Sequence, residues 1–120
     1  MRFTMLINGV EDEWGSQMEQ VPAGGADPMA EVLAFFERWE KAGKIAHGGA
    51  ELDSASTAKT IRAGADGTKV VTDGPYLELK EVVGGVVFLE AADMDEAVAI
   101  AATWPIHGST SVEVRPVIEH

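Results

Sequence analysis

The chain has 120 residues, 46% of them hydrophobic, enough to close one core and too few for two, so a single domain over residues 1–120 is expected. Nine Lys and Arg stand against 20 Asp and Glu, a formal net charge of −11; that field repels phosphate backbones and anionic lipid, and neither a nucleic-acid nor a membrane partner is expected. The absence of cysteine removes disulfides, thiolate metal sites and thiol nucleophiles together and fits a reducing, cytoplasmic setting, and no apolar run reaches the length of a secretory core or a membrane span.

Phe3, Met5 and Ile7 alternate with Arg2, Thr4 and Leu6 and stop at Asn8-Gly9, the pattern of a strand ending in a turn. Val10 to Ala26 is polar, with Trp14, Pro22, Gly24 and Gly25 and no sustained period; it reads as a long loop, and such loops in compact domains are often either mobile or functional. Asp27-Pro28 marks a helix start, because the Asp carboxylate accepts the free N–H groups of the first turn and proline at the first helical position forfeits no bond. Met29, Val32, Leu33, Phe36 and Trp39 then recur at three- and four-residue spacing as one apolar face, and Gly43 stands where helices commonly end.

Lys44 to Leu52 reads as a strand bulged at Gly48-Gly49. Thr57 to Ala63 and Thr68 to Thr72, rich in β-branched residues and joined by Gly64-Ala65-Asp66-Gly67, read as a hairpin. Asp73-Gly74-Pro75-Tyr76 follows, and then Gly84-Gly85 opens Val86 to Glu90, apolar on both sides, which predicts a central strand covered on both faces. Asp93 with Glu96 three residues on forms a capping box; Ala97, Ile100, Ala101 and Trp104 fill the inner face of the helix it starts, and Pro105 stops it. Ser111 to Val117 alternates as a strand exposed on one face.

Strand, helix, strand, inserted hairpin, strand, helix, strand is an α+β order. Short connections and right-handed crossovers fold it into a ferredoxin-like split βαβ with an inserted β-hairpin: one antiparallel sheet with both helices on one face. The other face lacks helices, and a second copy of the chain is the simplest cover, so a homodimer is expected.

Val71-Thr72-Asp73-Gly74-Pro75-Tyr76, followed by Lys80-Glu81 and Gly84-Gly85, resembles the YCII-related family, in particular the branch marked by a DGPF motif, with Tyr76 in place of the phenylalanine. Asp93-Met94-Asp95-Glu96-Ala97 and the closing Ser111 to Val117 extend the resemblance over nearly the whole chain. It implies a ferredoxin-like fold of the dimeric α/β-barrel type and no assigned reaction. The resemblance also links the chain to small isomerases and lyases, and to members encoded near extracytoplasmic-function sigma factors. In shorter relatives a His–Asp pair is proposed as an acid/base dyad with its His on the first helix; Asp73 matches the Asp, while residues 27–42 of this chain hold no His.

Asp73 before Gly74-Pro75 stands on a sharply turned backbone and has two open roles. It can be a base or acceptor at a pocket mouth, or a turn residue capping backbone N–H groups. His47, beside Gly48-Gly49, is the candidate that replaces the missing helix His as its acid/base partner. The candidate ligand-binding set is Trp14 from the long loop, Tyr76 through its ring or hydroxyl, and Lys80 and Glu81, which serve equally well as a solvated pair. Histidines at 47, 107 and 120 have no metal-ligand spacing, and no P-loop or dinucleotide fingerprint is present, so no metal and no cofactor is expected. Three functions remain open: a homodimer binding a small molecule in a sheet/helix pocket, an isomerase- or lyase-like enzyme with Asp73 moving the proton, and a regulatory or scaffold module linked to sigma-factor control.

Overall fold

In a computed structural model of the chain, the described residues are 1–10, 28–74 and 82–120. β1 (Arg2–Gly9), α1 (Pro28–Lys41), β2 (Ile45–Glu51), β3 (Lys59–Ala63), β4 (Lys69–Asp73), β5 (Val82–Glu90), α2 (Met94–Ala101) and β6 (Ser111–Pro116) follow in that order, with a 3₁₀ turn at Ala55–Thr57. The expected long loop, apart from Val10, and the capping Asp27 lie outside the described residues.

Four strands form one sheet in the order β2-β5-β1-β6 with every neighbouring pair antiparallel, an α+β arrangement compatible with a ferredoxin-like fold. Register puts Phe3 opposite Leu89 and Met5 opposite both Val87 and Val114, so these side chains share a face. Phe35 of α1 and Ala97, Ile100 and Ala101 of α2 close over that face, and Phe3, Met5, Leu89 and Ile100 are the largest fully buried side chains. Burying each such side chain contributes roughly 1.5–3 kcal/mol.

Three details differ from the sequence reading. The inward face of α1 is centred on Phe35, only 3% exposed, whereas Leu33 is 62% exposed and Met29 also faces solvent. The reason lies in α2: Trp104, just beyond it, sets its ring edge-on to Phe35 at 5.1 Å and to Phe36 at 5.8 Å, and the Trp39 indole N–H donates to Thr103 Oγ1 at 2.8 Å. β5 begins at Val82, so Gly84-Gly85 lie inside the strand; Val87 and Leu89 are buried under the helices, but Val86 and Phe88 on the opposite face are only half-buried. α2 stops at Ala101, short of Trp104.

The cap of α2 holds as its residue types require. Asp93 accepts the Glu96 N–H at 2.9 Å, and Glu96 Oε1 in turn accepts the Ala92 N–H at 3.1 Å and the Lys44 ammonium at 3.0 Å. The strand bulge expected at the glycine pair is present, as a break in the β2–β5 register between Ala46 and Ala50.

β3 and β4 form a separate two-stranded sheet, joined by a turn in which the Gly64 N–H donates to Thr68 O at 2.6 Å and Gly67 takes φ +83°. No described helix is long and apolar enough to cross a membrane.

Candidate functional site

Asp73 ends β4 directly across from Lys59, the first residue of β3. Its carboxylate accepts from the Lys59 ammonium, and its side chain is 85% exposed. Gly74 follows with φ +84°, a conformation that side chains with a Cβ rarely adopt; its N–H donates to Ala58 O at 2.8 Å and its carbonyl accepts from Thr60 Oγ1 at 2.6 Å. The described half of the Asp73-Gly74-Pro75-Tyr76 segment therefore knots the open end of the hairpin. The Lys59 ammonium fills part of the acceptor capacity of this exposed carboxylate.

His47 lies on β2, exposed, at the bulge. Gly48 beside it takes φ +106°, a conformation that favours glycine, and a Cβ there would stand in ordinary contact with the Phe88 ring at 3.4 Å. No hydrogen bond joins His47 to Asp73 among the described residues; the structure brings Asp73 together with Lys59 instead. Trp14, Tyr76, Lys80 and Glu81 lie outside the described residues. Among the described residues no group of three His, Asp or Glu is placed to hold a metal.

Sequence reasoning passed over Lys59. The residue that faces Asp73 depends on the hairpin register, and that turns on whether Thr68 belongs to the connection. Arg115 belongs to a row that crosses the sheet on the face away from the helices: Arg115 pairs with Thr4, Thr4 with Phe88, and Phe88 with Ala46. The next row on this face carries Glu113, Leu6, Val86 and Ala50. The open face thus sets an exposed guanidinium and a hydroxyl beside an aromatic ring, with Leu6 and Val86 alongside. Such a set can recognise a planar or carboxylate-bearing small molecule.

Two carboxyl groups elsewhere are held below their usual range. For Glu96 the hydrogen bond from Lys44 is the main cause and the Ala92 N–H the next; for Asp66 it is the Thr68 hydroxyl, followed by the Thr68 N–H. Both pin local structure: Glu96 the start of α2, Asp66 the hairpin turn.

The whole chain, residues 1–120, matches the YCII-related domain. An uncharacterised protein of Rhizobium meliloti (strain 1021) is 35% identical over 91 residues, covering 74% of this chain and 72% of that protein. The chain belongs to the YCII-related family.

Proposed function

We propose that this YCII-related chain works as a homodimer that binds a small organic acid on the open face of its four-stranded sheet. The observation that carries this reading is the row Arg115–Thr4–Phe88–Ala46, with Leu6 and Val86 in the row beside it. A sheet face meant for water alternates to polar residues, yet central strand β5 presents Val86 and Phe88 there. The helix-facing side offers less room for a ligand, because Phe3, Met5, Phe35, Leu89 and Ile100 fill it as core. The open face is the better candidate for ligand and second copy alike. A proton-transfer role for Asp73 has less behind it, given its exposure and its pairing with Lys59.

Sedimentation equilibrium across the micromolar range tests the dimer, and a protein found only as monomer ends that half of the proposal. Amide and guanidinium NMR spectra recorded during titration with acetate, benzoate and succinate test the ligand class. Shifts confined to Thr4, Phe88 and Arg115 are expected, with their loss in Arg115→Gln; spectra unmoved by all three acids would sink the binding half.

A further inference from the structure

Among the described residues the β3–β4 hairpin joins no larger sheet: its two strands pair with each other and with no other described strand. One of its faces is built from the cross-strand pairs Lys59–Asp73, Ile61–Val71 and Ala63–Lys69. At its centre Ile61 is 63% exposed and Val71 61%. An isolated two-stranded hairpin is marginally stable in water, and an aliphatic pair contributes fully only when water is excluded from it.

Charge indicates what covers the hairpin. Lys59, Arg62 and Lys69 against Asp66 and Asp73 give it a net +1, leaving −12 on the rest of a chain whose total is −11. An arm of one sign on a body of the other is complementary to the body of another copy, and in a two-fold dimer the contact is made twice.

We propose that the β3–β4 hairpin is an arm laid across the second copy of the chain, with Ile61 and Val71 as its apolar anchor and Lys69 facing the partner's acidic surface. The inference rests on the homodimer reading above and adds to it a second contact, separate from the open sheet face. It also gives the Asp73–Lys59 knot a purpose, because an arm holds its register only if its base is tied.

The test compares the wild-type chain with Ile61→Thr/Val71→Thr and with Lys69→Glu. Threonine keeps the β-branched shape that strands favour, so the hairpin itself is retained. Sedimentation gives the dimer dissociation constant, and hydrogen exchange follows the amides of residues 60–63 and 69–72. In the wild type these amides should be protected only at concentrations where the dimer is populated. The double substitution should raise the dissociation constant about tenfold or more through lost apolar burial. Lys69→Glu should weaken the dimer severalfold, most strongly at low salt. If the dimer forms while the hairpin amides exchange alike at every concentration and both variants associate normally, the arm lies in solvent or serves a different protein; the proposal is then overturned and the homodimer stands. If the wild type never dimerises, both readings fall. Should the double variant lose its hairpin, Lys69→Glu decides alone.

Discussion

Lys59 and Asp73 face each other across the last pair of the β3–β4 ladder, and their ion pair closes the hairpin at the end where the chain enters and leaves it. The carboxylate in the most distinctive motif of the sequence thus meets a lysine side chain, while Gly74 beside it makes the backbone bonds that close the hairpin.

Because that pair is exposed, Asp73→Asn should change unfolding free energy in urea by less than about 1 kcal/mol. Gly74→Ala, at φ +84°, should cost about 1 kcal/mol or more, since a Cβ is strained there whatever the space around it. A large loss on Asp73→Asn would show that the carboxylate carries more of the fold than an exposed pair can.

The two faces of α1 make opposite predictions. Phe35→Ala should destabilise by roughly 3–5 kcal/mol, as removal of a buried ring does. Leu33→Ala should stay within about 0.5 kcal/mol. Equal costs would mean that the helix is rotated from the orientation described here.

Glu96 should make stability depend on pH on the acid side. Its folded pKa lies below the ordinary glutamate value of 4.5, so its contribution is present above that value and disappears as pH falls through the lower, folded pKa. Glu96→Gln should lower the melting temperature at neutral pH, and the gap from wild type should narrow steadily on acidification below about pH 4.5. A gap that stays constant down to pH 3 would contradict the Lys44 and Ala92 contacts as its source.

Gly49→Ala should disturb the bulge in β2. A Cβ at this position would stand 2.6 Å from the Val86 carbonyl oxygen, a backbone atom with little freedom to yield. The cost should be on the order of 1–3 kcal/mol, with faster exchange of the β2 amides. A neutral outcome would place the bulge elsewhere.

How far the sequence could be read depended on whether local pattern or register carried the signal. β1 and β6 followed from alternation alone, and α2 from its cap. α1 was ambiguous because Met29, Val32, Leu33, Phe35, Phe36 and Trp39 offer two overlapping apolar stripes, and a periodicity count weighs both alike. The partner of Asp73 was missed by one step of register. A connection from Gly64 to Gly67 would set Lys59 opposite Thr72; the observed connection runs on through Thr68, which accepts the Gly64 N–H, and so brings Lys59 to Asp73.

The sequence by itself determined the α+β order of elements, the capping of α2 and the acidic balance, because each depends on residues close in the chain or on composition alone. Only the tertiary structure decided which stripe of α1 is buried, that Arg115, Thr4 and Phe88 share a row, and that Asp73 meets Lys59. Each of these is a relation between residues distant in the chain, set by strand register and by the packing of α1 against Trp104, and local periodicity carries no information about either.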